Sequence, residues 1–198
     1  MLRRALALVL LSSGSLAAQS TGTPVFHAPY RVFDRYEIGG NVSDQGNITI
    51  EGFYGFGPRG ERWDLAARLG IQDTGGDGKA AVLAGLDARF RVIDQTQDFP
   101  LDGAIITGAG VRLVSGASAL FIPIGVSLGH RFNFSNSRMS IVPYAEPVVG
   151  PWFGHGDTDW LVALGLGADL RVSRRFELRA SVGIGDIENF AIGFAVIR

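Results

Sequence analysis

Residues 63–72 read WDLAARLGIQ, and the order of these ten letters decides the fold. In an extended chain successive side chains point to opposite faces, so Trp63, Leu65, Ala67, Leu69 and Ile71 fall together while Asp64, Ala66, Arg68, Gly70 and Gln72 fall opposite. One face is oily, and the other is polar and small. The same sorting holds for LVALGLGADLRV at 161–172 and FELRASVGIG at 176–185. Working outward, alternating segments of about ten residues are separated by turns rich in Gly, Asp, Asn, Ser or Pro. This places ten strands near 35–43, 47–56, 62–72, 79–93, 101–114, 119–133, 139–153, 159–172, 175–185 and 189–198. Connections such as GPRG (57–60) and SGAS (115–118) are short enough to force neighbouring strands antiparallel. The expectation is an all-β chain forming a closed antiparallel up-and-down transmembrane β-barrel of about ten strands, with eight as the alternative count.

The first residues, MLRRALALVLLSSGSLAAQS, set Arg3 and Arg4 before an apolar run from Ala5 to Leu11 and small residues ending at Ala18. That order reads as a secretory signal peptide over 1–18, since about 20 apolar residues are needed for a spanning helix. Segment 19–34 has no clean alternation and fits either an exported leader or a short plug, and 35–198 is the barrel. No later stretch is apolar enough to span as a helix, because Gly, Asp, Arg or Ser interrupts each one. Any crossing is therefore made by strands.

The chain has no cysteine, which removes disulfides and cysteine-ligated metal sites. A formal net charge of -1 argues against nucleic acid as a partner. Lys79 is the only lysine, and every other basic side chain is arginine. Arginine is the better partner for confined carboxylates, because its planar fork binds them in pairs, so the charges read as enclosed.

The direction of the two faces follows from their contents. The polar face carries Glu37, Glu51, Asp64, Arg68, Asp87, Arg89, Arg91, Arg112, Arg131, Glu146, Asp169, Arg171, Glu177 and Arg179, spaced by Gly, Ala and Ser. Acids and arginines nearly balance, as expected of a lumen in which long side chains pair across strands. The branched and aromatic face would overfill such an interior and belongs outside, on an apolar band about 25 Å tall. Aromatics gather at the two edges of that band: Tyr36, Phe56, Trp63, Phe90, Phe132 and Phe176 at one, Trp152, Trp160 and Phe190 at the other. Two such rings are what an interfacial girdle requires.

With these strands, the signal peptide and a last strand running to the chain end as NFAIGFAVIR, residues 35–198 resemble the small outer-membrane β-barrel families, of the OmpA-like transmembrane-domain or compact porin-like kind. The resemblance implies a bacterial outer membrane, contact with outer-membrane lipid and lipopolysaccharide, help from the barrel-assembly machinery during biogenesis, and no cofactor. Two departures stand out. Val196, Ile197 and Arg198 replace the usual terminal aromatic, and long extracellular loops are missing.

Candidate chemistry is sparse. Arg68, Arg89, Arg112, Arg171 and Arg179 are expected to pair with Glu37, Glu51, Asp64, Asp87, Asp169 and Glu177, leaving a narrow or occluded channel. His27, His130 and His155 are far apart, and the GHGDTD turn (154–159) reads as a polar connection rather than a cation site. Ser127 and His130 are offset by three and face opposite ways, so they form no nucleophile and base pair. Glu146, between Pro143 and Pro147, reads as a lumenal carboxylate. No catalytic residue and no metal ligand is assigned. The expected function is a structural or narrow porin-like passive channel. The alternatives are a soluble periplasmic lipocalin-like calyx binding an apolar ligand and a membrane-embedded hydrolase.

Overall fold

The computed structural model describes residues 20–30, 33, 35–75, 79–135, 137–154 and 156–198. The expected signal peptide, Gln19 and His155 lie outside these residues. Among the described residues twelve strands follow in order: β1 (Tyr36–Asp44), β2 (Ile48–Phe56), β3 (Trp63–Asp73), β4 (Ala80–Ile93), β5 (Asp102–Val114), β6 (Ala117–Phe121), β7 (Ile124–Gly129), β8 (Phe132–Asn133), β9 (Ser140–Gly154), β10 (Asp157–Arg171), β11 (Phe176–Gly185) and β12 (Asn189–Ile197). Neighbours pair antiparallel throughout, and β1 closes on β12 with Glu37 opposite Ile197 and Asp44 opposite Phe190. Closure leaves no unpaired edge.

The three short strands β6, β7 and β8 lie end to end between β5 and β9, so they make one stave and the barrel has ten. The expected single strand at 119–133 is thus broken in two places, at Ile122–Pro123 and at His130–Arg131. The cause lies partly in the neighbouring strand. Pro143 and Pro151 of β9 have no N–H to give, and their carbonyls face this stave, where they accept from His130 N at 3.1 Å and Ile122 N at 3.2 Å. One breach therefore sits opposite each of these prolines. Pro123 adds a missing donor of its own, while its carbonyl still accepts from Gly108 N and Thr107 Oγ1.

Alternation is expressed as burial. On β2, Ile48, Ile50, Tyr54 and Phe56 are exposed while Thr49, Glu51 and Phe53 are buried. Leu69, Leu86 and Trp160 are each about two-thirds exposed, at 65%, 65% and 67%, on the outer surface. The oily face points out and the charged face in.

The meander places alternate connections at opposite rims. One rim, here the terminal rim, carries residues 35 and 198 and the connecting residues 57–62, 94–101, 134–135, 137–139 and 172–175. The distal rim carries 45–47, 74–75, 79, 115–116, 156 and 186–188.

Candidate functional site: a lumen filled by the N-terminal segment

The lumen contains the chain's own residues 20–30, almost all of them buried. An irregular segment in an enclosed space must satisfy its backbone polar groups from the walls, and this one does so all around the barrel. Thr23 Oγ1 donates to Glu51 Oε2 of β2 at 2.8 Å. Ser181 Oγ of β11 donates to the Pro24 carbonyl at 2.6 Å, and Tyr144 Oη of β9 to the Phe26 carbonyl at 2.8 Å. His27 N donates to Glu146 Oε2 at 2.8 Å, and the His27 carbonyl accepts from Ser127 Oγ of β7 at 2.6 Å. Arg89 of β4 donates to the Ala28 carbonyl at 2.7 Å. At the terminal rim, the Arg131 guanidinium lies 3.9 Å from the centre of the Tyr30 ring, with Arg91 on the same ring at 5.9 Å.

Glycines in the wall make room. A Cβ on Gly165 would overlap the Phe26 ring, and one on Gly110 would strike the Ser20 carbonyl. Phe26 also belongs to an apolar cluster with Phe121, Tyr144, Val148, Trp152, Leu161, Ala163 and Ile187. Over β6 to β10 this apolar cluster fills much of the interior, with Glu146 and Asp169 as buried carboxylates on the same strands, and Ile187, fully buried in the 186–188 connection, closes that side near the distal rim.

Among the described residues, three groups of paired charges line the wall from β1 to β4 and from β10 to β11. Arg68 pairs with Asp87 through Nε, and its Nη2 donates to His27 Nε2 at 2.7 Å. That geometry needs a neutral imidazole accepting at Nε2. Burial, and after it the Arg68 charge, hold His27 below the usual histidine range, against the opposing pull of Asp87. Arg89 grips Asp64 with two bonds, at 2.9 and 3.0 Å. Arg179 gathers Glu37 at 2.6 Å, Glu177 at 2.8 Å and Asp169 at 3.8 Å. The Phe53 ring lies between two of these groups, with Arg179 at 5.2 Å and Arg68 at 5.9 Å. In such a low-dielectric enclosure a charge left alone is costly, and pairing holds the side chains in place.

Several expected site residues sit elsewhere than the sequence implied. Arg112 meets an amide, donating to Gln72 Oε1 at 2.8 Å, and Arg171 donates to the Ser173 and Arg174 carbonyls, so neither makes the expected carboxylate pair. Arg112 stands opposite Leu83 and Ala119 on its two neighbouring strands, whereas Arg171 stands opposite Glu177, a carboxylate that Arg179 holds instead. Arg91 pairs with Asp94 at 3.0 Å and Arg131 approaches Asp102 at 3.7 Å. Glu51 and Glu146 serve the N-terminal segment. Trp152 does not belong to the girdle: it is 6% exposed, inside the barrel, with its ring 6.0 Å from Phe121. It shares the parity of Glu146 on one strand, and parity overrides proximity to the band edge. The other expected girdle residues are exposed or half-buried on the outside. His27, Phe53, Ser127, Tyr144 and Ser181 were not among the expected site residues. The last four carry the lumenal parity, which is the signal that marks them.

Among the described residues no group of three or more His, Cys, Asp or Glu is arranged to hold a metal ion. Ser127 has its hydroxyl committed to the His27 carbonyl.

No protein-family model and no curated protein matches the chain. Among solved structures, the β domain of the Bordetella autotransporter BrkA superposes with a TM-score of 0.58 at 16% identity, over 85% of this chain and 86% of that one. A bacterial polysaccharide outer membrane secretin superposes with a TM-score of 0.51 at 13% identity, over 83% of this chain and 66% of that one. At these identities the likeness is one of fold: the chain shares the barrel architecture of outer-membrane β-barrel domains.

Proposed function

We propose that this chain is an integral barrel of a bacterial outer membrane whose lumen is held shut by its own residues 20–30, so that it acts as a wall-structural protein with that segment docked and as a narrow passive channel only when it leaves. The observation that carries this reading is the set of bonds from Glu51, Arg89, Ser127, Tyr144, Glu146 and Ser181 to the segment. They come from strands all around the barrel, so the segment is anchored on every side of the lumen.

The membrane part of the reading rests on the outer surface. A soluble barrel exposing Leu69, Leu86, Val162 and Trp160 to this degree would present an apolar belt far larger than the few hundred Å² patches tolerated in water. A ligand-carrying calyx would need an apolar cavity, and the apolar part of this lumen is occupied by Phe26, Trp152 and Ile187. We assign no enzymatic activity. Lipid and lipopolysaccharide are the expected surroundings, with the barrel-assembly machinery a partner of biogenesis.

The test is migration of the refolded chain on a detergent gel, unheated and heated, together with flotation on lipid vesicles. A heat-modifiable band that floats supports the reading. A chain that stays in the aqueous fraction without detergent overturns it.

A further inference from the structure

The net charge of -1 conceals a segregation along the barrel axis. Exposed Arg35, Arg59, Arg62, Arg138, Arg174 and Arg175 all lie at the terminal rim, against Glu61, Asp94 and Asp98 on the same side. Arg62 pairs with Asp94 there. The distal rim is the reverse: Asp73, Asp157, Asp159, Asp186 and Glu188 are exposed, with Lys79 as the basic residue among the described positions.

Depth gives the arginines a target. Several stand directly beside an aromatic residue of the outer belt, as in Arg35–Tyr36, Arg62–Trp63 and Arg175–Phe176. Belt aromatics occupy the interface between hydrocarbon and headgroups, so a guanidinium one residue further out sits at the depth of lipid phosphates. The connections at 57–62, 134–139 and 172–175 are short and cannot carry their charges far from that layer. Guanidinium is also the cation whose forked donors match a phosphate, and the terminal rim contains arginine without a lysine.

We infer that the terminal rim is a binding surface for the headgroups of anionic phospholipids, with arginine forks holding the phosphates of the leaflet on that side. The carboxylate rim repels the same headgroups, so the two rims together bias which way the barrel sits in a membrane whose leaflets differ in charge. The inference rests on the membrane reading above. It goes beyond it by naming the lipid class and the side.

Three tryptophans make a direct test available. Trp63 is at the terminal rim, beside Arg62 and in the strand that follows Arg59, and Gly57 N bonds to the Arg35 carbonyl at 2.9 Å, which brings Arg35 to the same turn. Trp160 is at the distal rim, and Trp152 is enclosed and cannot touch lipid. The full mature chain carrying Trp160→Phe is refolded into vesicles of phosphatidylcholine mixed with phosphatidylglycerol, with one lipid or the other brominated, and the quenching of Trp63 is compared. A Trp63→Phe chain reports the distal rim in the same way.

Quenching by brominated phosphatidylcholine at both tryptophans checks membrane insertion by itself, so its failure sinks the membrane reading and not merely the lipid preference. Given insertion, phosphatidylglycerol is expected to be enriched around Trp63 by about fivefold at low salt, the preference that one favourable arginine contact with an anionic surface gives. The enrichment should vanish at high salt and in an Arg35→Gln, Arg59→Gln, Arg62→Gln chain, and be absent around Trp160. The salt arm uses no rim variant and so holds even if the triple variant refolds poorly. Equal quenching by the two lipids at Trp63, or enrichment that survives both high salt and the triple substitution, overturns the inference.

Discussion

Tyr144 donates its hydroxyl to the Phe26 carbonyl at 2.8 Å, while Gly165, on the next strand, lies beneath the Phe26 ring with no room for a Cβ. One contact holds residues 20–30 and the other makes space for them. Gly165→Val should therefore push Phe26 out of its seat at a cost of about 1–3 kcal/mol. The chain has no cysteine, so Ala28→Cys, buried in the unaltered lumen, reports the displacement. A water-soluble maleimide should label Cys at this position slowly alone and quickly when combined with Gly165→Val.

Arg68→Ala removes the partner of a buried carboxylate and the donor to His27 together. Leaving Asp87 charged and alone should cost about 3–5 kcal/mol in urea titrations of the refolded barrel. Adding Asp87→Asn should recover part of that loss, because the uncompensated charge is then gone. Losses that simply add would show that the two side chains are not coupled.

Acidification should loosen the segment through His27. Its docked state resists protonation while a released segment titrates normally, so above the ordinary histidine range the two states bind protons equally and pH has no effect through this group. As pH falls through that range, the released state takes up the proton first and release is favoured. Labelling at position 28, normalised to the unfolded chain, should rise between neutral and mildly acidic pH. His27→Gln keeps an acceptor for Arg68 and should flatten the rise; an unchanged rise would assign the effect to other groups.

Two tryptophans eight residues apart should behave as opposites. Trp152→Ala opens the enclosed cluster with Phe121 and Ile187 and should cost about 3–5 kcal/mol. Trp160→Ala, on the outer surface, should change equilibrium stability far less. Comparable losses in denaturant titration would place both on the same side of the wall.

The barrel was legible because period-two alternation is a local signal, and WDLAARLGIQ carries it without interruption. Inward charge was legible for the same reason, since Arg68, Arg89 and Arg179 each share the parity of their partners. Which arginine meets which acid was not, because pairing depends on register between strands and on competition for the same acid: Arg112 stands opposite Leu83 and Ala119, and Arg171 stands opposite Glu177 while Arg179 holds that carboxylate. Trp152 set two cues in conflict, and the residue near the band edge obeyed parity. The position of residues 20–30 was legible only as one of two options, an exported leader or a short plug, for a deeper reason. The segment has no periodicity, and what fixes it is a set of side chains as distant in sequence as Glu51 and Ser181.

The most direct test of the plugged barrel is current through a planar lipid bilayer, measured for the refolded mature chain and for the same chain without residues 20–30. The full chain should insert and stay silent at neutral pH, and the shortened chain should give steady openings. Equal, stable conductance from both, or silence from both after insertion is confirmed, would contradict the account.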